Sequence, residues 1–438
     1  MSRFQAAVLA ILSVLTPACS GQENSVAFIG GRIIPIAGDP IDRGTLLVRD
    51  GKITAVGPAD RVTVPPGSTR VDATGKVLMP GLICTHNHIG GIGGADSTAP
   101  IQPDVRIYDS LNVLDSGYRR ALAGGLTTLN IMPGSGHLLS GQTVYIKLRK
   151  ARTIDDLFIR NADGTPAGGI KMANGTNSRR DKPFPGTRAK SAALVREQYV
   201  KALEYRKKIE RAGGDAAKMP PRDIGLEALL QAMDGKRVVH HHTHRHDDIL
   251  TVLRLAKEFG FRVVLHHVSE GWMVAKEIAE AGVPCSVIVI DSPGGKLEAT
   301  EMSLETGAIL EKAGVEVAFH TDDWITDSRL FFRSAALAVR AGMSRSGALK
   351  ALTLAGAKML DLDDRIGSLE VGKDADVIVL SGDPLSVYTK VEQTWVEGRK
   401  VFDRSDPTDR LHAVGGYGAG HDTKPYFCCF EHLSGETD

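Results

Sequence analysis

The sequence predicts a (β/α)8 TIM-type barrel with a small β-sandwich formed by the N- and C-terminal segments, and three observations predict it. Eight short apolar runs alternate with stretches of helical periodicity through the middle of the chain, the pattern of parallel strands joined by crossover helices. Turn-punctuated β text flanks that section on both sides. Polar, histidine-rich text stands where the apolar runs stop, and barrel strands carry their functional residues at those C-terminal ends. With 438 residues, 42% of them hydrophobic, the chain is long enough for one barrel and a companion unit.

Residues 1–21 carry Arg3, the apolar run Ala6 to Leu15 and then Thr16-Pro17-Ala18-Cys19, the layout of a secretory signal peptide, which sets them outside the fold. Export to the periplasm is expected. Cys19 after a small residue resembles a lipoprotein cleavage site, although Thr16 stands where Leu is preferred; an outer-membrane lipid anchor through Cys19 is the variant of that expectation and the sole membrane attachment foreseen.

Residues 26–80 read as short strands, Ala27-Phe28-Ile29, Gly44 to Val48 and Ile53 to Val56, cut by Gly51, Gly57, Pro65, Pro66 and Gly67. They form the first part of the sandwich. Residues 366–403 repeat the texture in Asp376 to Leu380, Thr394 to Glu397 and Lys400 to Phe402, which completes it. Residues 404–438 form a C-terminal tail, in which adjacent Cys428 and Cys429 carry no assigned role.

Residues 81–365 match the size of a TIM-type barrel, about 250 residues. The expected parallel strands are Gly81 to Thr85, Thr127 to Ile131, Thr143 to Leu148, Gly169 to Ala173, Arg237 to His242, Arg262 to His267, Val283 to Val289 and Val315 to His320. Leu226, Leu229, Leu230 and Met233, and Ile249, Val252, Leu253 and Ala256, recur at helical spacing between them.

Charge excludes some partners. Lys and Arg total 53 against 52 Asp and Glu, and no basic stretch is interleaved with aromatics, so nucleic acid is not expected as a partner. Cysteine spacings show no disulfide framework.

The strand ends carry the chemistry. His86 and His88 follow an apolar strand and, at i and i+2, share one face of it, so both rings can converge on one ion. In Val238-Val239-His240-His241-His242-Thr243-His244, alternation puts His240, His242 and His244 on one face and His241 on the other. Of His266 and His267 only one is expected to point inward. His320 and Asp322 share a face; Asp323 caps a loop or helix. One Asp among strand-end histidines makes an N/O ligand set suited to Zn²⁺, with Mn²⁺, Fe²⁺ or Co²⁺ as alternatives. Arg179 and Arg180 follow the fourth strand with Lys182 and Arg188, at the barrel mouth, where they either bind a substrate carboxylate or belong to a solvated loop.

Met79-Pro80-Gly81-Leu82-Ile83-Cys84-Thr85-His86-Asn87-His88 resembles the first barrel strand of the amidohydrolase superfamily, where Pro-Gly-Leu-Ile-Asp-x-His-x-His is usual and Cys84 replaces the Asp. The split β unit and Gly372-Lys373-Asp374-Ala375-Asp376 resemble the family's return from barrel to sandwich. The subgroup it is most similar to holds imidazolonepropionase and metal-dependent prolidases.

The resemblance implies that His86, His88 and Asp322 ligate one metal. Asp247-Asp248-Ile249 after the fifth strand selects His242 as a ligand and leaves His244 to the substrate; the subgroup's Glu-His at strand six selects His267, with His266 a departure. Ile170-Lys171 stands where binuclear members carry a carbamylated lysine, so Lys171 is either a bridging ligand or structural, and one or two ions are implied. Relatives often continue Lys-Met-Ala-x-Gly-Glu-Asn-Pro, whereas here Thr176 replaces that Glu. The implied activity is hydrolysis of carbon–nitrogen bonds in small amides or dipeptide-like substrates, with Asp322 as acid–base and His267 orienting the substrate. Alternatives are an esterase, lactonase or deaminase on the same scaffold, or an exported metal-binding protein without catalysis. A homo-oligomer is a further expectation.

Overall fold

The computed structural model describes residues 25–91, 96, 98–289, 297–323, 325–415 and 419. The signal-peptide segment with Cys19, and Cys428 and Cys429, lie outside the described residues. No helix among the described residues is long and apolar enough to cross a membrane.

The chain opens with β1 (Ser25–Ile33), β2 (Ile41–Arg49), β3 (Lys52–Pro58), β4 (Thr69–Asp72) and β5 (Val77–Pro80). The β2–β3 hairpin turns at Asp50-Gly51, both at positive φ (48° and 80°), as a tight two-residue turn matched to strand twist requires. Antiparallel β2 and parallel β4 flank β1, and β5 joins its far end.

The barrel strands follow as β6 (Leu82–Asn87), β7 (Leu126–Ile131), β8 (Leu139–Gln142), β9 (Val144–Lys147), β10 (Ile170–Ala173), β11 (Val239–Thr243), β12 (Val263–His267), β13 (Cys285–Val287) and β14 (Val317–Phe319). β6 and β7 are parallel, as are β10 to β14 in sequence order. The third position departs from the expected parallel strand. There β8 pairs antiparallel with β10 and β9 antiparallel with β7, so one stretch, Leu139 to Lys147, bridges the two sheets. The link between the paired strands β7 and β9, residues 132–143, holds β8 and no helix, whereas a parallel return is usually made through a crossover helix. The ring closes between β14 and β6, where the Asp322 N–H donates to His86 O (3.1 Å) and the Thr321 N–H donates to Cys84 Sγ (3.3 Å). Cys84 therefore serves as a strut where the family has its Asp.

Helices α1 (Ser116–Ala123), α2 (Arg188–Ala212), α3 (Ile224–Met233), α4 (His246–Phe259), α5 (Ala275–Glu280), α6 (Thr306–Lys312), α7 (Phe331–Arg340), α8 (Arg345–Ala351) and α9 (Leu354–Met359) connect the strands. The two expected helical periods lie in α3 and α4. Leu229 is buried in the main core with Leu226, Leu230 and Met233 packed against it, and α4 buries Ile249 and Val252. The long segment before β11 holds α2 and α3; Thr187 caps α2 by accepting the Lys190 N–H (3.2 Å), and Asp223 caps α3 by accepting the Leu226 N–H (2.9 Å).

Strands β15 (Val377–Leu380), β16 (Val391–Val396) and β17 (Arg399–Asp403) then return to the first unit, followed by α10 (Pro407–Val414). Antiparallel pairing of β15 with β5 joins both ends of the chain in one eight-stranded sheet. Its residues Phe28, Leu46, Ile53, Leu78, Val377 and Trp395 form a core of their own. Buried Lys147 ties the barrel to this sheet. Its ammonium reaches Asp374, Asp376 (3.2 Å) and Glu397 (3.3 Å), while Arg149 holds Glu397 with two 2.7 Å hydrogen bonds.

Candidate metal centre

At the C-terminal ends of the barrel strands, three side chains converge. His86 Nε2 lies 3.1 Å from His88 Nε2, and Asp322 Oδ1 lies 3.1 Å from His88 Nε2 and 3.5 Å from His86 Nε2. All three are buried. The His88 Nδ1–H donates to the carbonyl of Met132 (2.8 Å), which leaves its Nε2 lone pair facing the group.

Electrostatics keeps His86 and Asp322 in ligating form. Burial, with Lys171 next in weight, holds the His86 imidazole well below its ordinary pKa. Burial alone would raise the Asp322 carboxyl, but the hydrogen bond and charge of His88, together with His320 and Lys171, hold it well below the carboxylate range. The imidazoles of His86 and His88 with the Asp322 carboxylate form an N/O donor set for a divalent cation. The buried His86 Nδ1 makes no hydrogen bond, an open lone pair or N–H on the side of the ring away from His88 Nε2.

A second group adjoins the first. His242, His244 and His267 lie close enough to hold an ion, with ring centroids 4.4 Å (His242–His267), 4.6 Å (His242–His244) and 4.9 Å (His244–His267) apart. His244, expected at the substrate, thus sits among candidate ligands; its Nδ1 is 2.7 Å from Ser269 Oγ. A third grouping, His86, His267 and His320, brings in a histidine that the sequence had placed only on the face of Asp322. His320 Nδ1 is 2.8 Å from Ser286 Oγ, its Nε2 is 3.2 Å from His267 Nδ1, and burial lowers its pKa to about 3.

Lys171 belongs to the same site. Its buried Nζ is 3.1 Å from His86 Nε2 and 3.2 Å from Met132 Sδ.

The expectation that only one of His266 and His267 points inward is corrected. His266 Nε2 meets His240 Nδ1 at 3.0 Å inside the barrel, and the His267 ring lies 4.8 Å from that of His86. Alternation fails because His267 adopts φ 70°, a left-handed conformation that rotates its side chain off the strand's other face. His240 continues inward to Tyr145, whose hydroxyl is 2.9 Å from its Nε2. His241 faces away and its Nδ1–H donates to its neighbour's carbonyl, His242 O (2.9 Å). Asp323 accepts from the N–H and hydroxyl of Ser328, while Asp327 caps the short turn that begins there.

The loop after β10 borders the second group, with Asn177 Nδ2 3.4 Å from His242 Nε2. Arg179 Nε donates to Gly175 O (3.1 Å); Arg180 donates to Gly136 O (2.9 Å) and lies 3.7 Å over the Phe184 ring. Glu298, which the sequence did not single out, accepts the Thr176 N–H (2.8 Å) and contacts Arg188. No local motif marks it, since it arrives from the segment after β13.

Residues 77–401 match the amidohydrolase family. A solved structure of an amidohydrolase from Thermotoga maritima MSB8 is similar at 35% identity and TM-score 0.81, covering 86% of this chain and 100% of that one. An imidazolonepropionase of Fusobacterium nucleatum is 22% identical over 83% of this chain and 92% of its own length. An amidohydrolase of Hapsidospora irregularis is 28% identical over 84% of this chain, which spans only 41% of that relative's length.

Proposed function

Because the chain belongs to the amidohydrolase family, we propose that it is a metal-dependent hydrolase of carbon–nitrogen bonds in small amides, linear or cyclic. One observation carries the reading: His86, His88 and Asp322, from opposite ends of the barrel sequence, converge as buried ligands. These residues would hold the first ion, with Zn²⁺ best suited to the donor set. A bound divalent cation supplies the Lewis acidity that makes water nucleophilic at neutral pH and polarises a carbonyl.

The protein groups do the rest. Asp322, ionised and buried, takes the proton of the attacking water and delivers it to the leaving nitrogen, an acid–base role that needs one carboxylate on one face of the substrate. With one ion bound, His267, whose Nδ1 lies 3.9 Å from Asp322 Oδ2, would orient the scissile carbonyl. With two, His242, His244 and His267 would hold the second. Lys171 would serve both as a carbamate: its ammonium loses one proton, the resulting amine adds carbon dioxide with formation of an N–C bond and loss of a second proton, and an anion replaces a cation where cations must bind. Arg179 and Arg180, neither with a carboxylate partner among the described residues, are suited to a substrate carboxylate.

The test is metal analysis together with a mixed amide and ester panel scored by product mass. Metal-replete protein should release amine from amides, and His88→Ala and Asp322→Asn should each lose both metal and turnover. Undiminished amide turnover after chelation, or in those variants, would reject the metalloenzyme reading.

A further inference from the structure

The barrel mouth holds a carboxylate that the chemistry above leaves unused. Glu298 is 3% exposed, and its Oε2 accepts the Thr176 N–H at 2.8 Å and lies 3.4 Å from the Arg188 guanidinium. Its other oxygen, Oε1, is buried with no hydrogen-bond partner. The carboxylate packs directly on Gly175, where an added Cβ would stand 2.6 Å from Oε2. This fixes Glu298 against the loop that also carries Asn177, whose amide reaches His242.

Arg188 is held mainly by Asp248, at 2.7 Å, so Asp248 and Glu298 share one guanidinium. A buried carboxylate oxygen without a donor is costly unless a ligand satisfies it. In the same loop, Arg179 donates to the carbonyl of Gly175 and Arg180 to that of Gly136.

We propose that Glu298 is a specificity residue that receives the free ammonium group of the substrate, so that the substrates are zwitterionic, dipeptide-like amides rather than N-acylated or neutral ones. The proposal rests on the amide-hydrolase reading.

The experiment uses the metal-replete full chain with dipeptides bearing a free amino terminus and the same dipeptides N-acetylated. In the parent protein the free-amine member should have the lower KM by roughly tenfold or more, the worth of one charge-assisted hydrogen bond. Glu298→Gln keeps an acceptor for Thr176 but loses the charge. It should raise KM for the free-amine member by roughly the same factor while leaving kcat, and both constants for the acetylated member, within about threefold. Equal KM values for both members in the parent, or an equal rise for both in E298Q, would overturn the proposal and make Glu298 a loop anchor only. If the parent hydrolyses no member, the amide-hydrolase reading fails, and calorimetric binding of the same pair decides for Glu298. Weaker binding of the free-amine peptide by E298Q alone then sustains the proposal, and equal affinities overturn it.

Discussion

At the scale of single residues, backbone conformation decides which histidines form the site. His267 and Asp322 both occupy the left-handed region, at φ 70° and 46°, where a residue with a Cβ is seldom found. Such strain is kept where surrounding contacts enforce it, and both residues belong to candidate ligand groups. Lys171 poses the sharpest question at this scale. An ammonium 3.1 Å from His86 Nε2 would repel a cation held there, whereas a carbamate would bridge two. Replacement by Ala should therefore lower the metal count from about two toward about one, because His86, His88 and Asp322 remain to hold the first ion. Bicarbonate should aid loading of the parent and not of the variant. Elemental analysis showing the same stoichiometry and rate in both would make Lys171 structural. The residue types of this site were legible in the sequence, since the His-x-His pair, the histidine run and Asp322 all stand at strand ends. Their directions were legible only while the strand stayed regular, and the φ reversal at His267, which brings both members of the pair inward, leaves no mark in residue pattern.

At the scale of elements, strand ends and helical periods followed from hydrophobic patterning, while strand direction at the third position did not. Apolar alternation is blind to direction. Only the lack of a crossover helix in the link 132–143 carries that information. The Asp374-Ala375-Asp376 stretch acquires a physical role through Lys147, which brings the end of β9 to three carboxylates from the opposite end of the chain. Glu397 is the titratable handle on this joint. Burial alone would raise its pKa, but hydrogen bonds from Arg149 and the charges of Lys147 and Arg149 lower it from 4.5 to about 2. Its folded pKa lies below its unfolded one, so the stability it contributes is complete above about 4.5 and is lost as pH falls toward about 2. Asp376, pushed up chiefly by its burial and in part by Glu397, titrates in the opposite sense, so the difference between variant and parent includes the change at Asp376. Glu397→Gln should destabilise the protein by about 2 kcal/mol at neutral pH, with that deficit shrinking as the pH drops through the window. Denaturant melts from pH 2 to pH 7 measure it. A deficit that does not change with pH would mean that Glu397 contributes by packing and not by charge.

At the scale of the whole molecule, the unusual feature is what fills the barrel. TIM-type interiors are ordinarily layered with branched apolar side chains. Here His86, His240, His242, His266, His267 and His320 are buried inside it, with Lys171 and Asp322 among them. Apolar burial holds the surrounding core of the barrel and the separate core of the terminal sheet, but it contributes little across this polar layer. Ion binding to the folded state is then coupled to stability by mass action, about 2.7 kcal/mol when free metal exceeds its dissociation constant about 100-fold. For a chain of this size that corresponds to a shift of a few degrees in the melting midpoint. Chelated protein should melt lower than metal-replete protein, and re-addition of Zn²⁺ should restore the midpoint. His88→Ala and Asp322→Asn should show little difference between the two conditions, since they lack the ligands that couple binding to folding. Scanning calorimetry with metal content measured on the same samples provides the comparison. If the parent loses its metal yet melts at an unchanged midpoint, the histidine layer is self-supporting, and the ion serves chemistry alone without holding the two ends of the strand ring together.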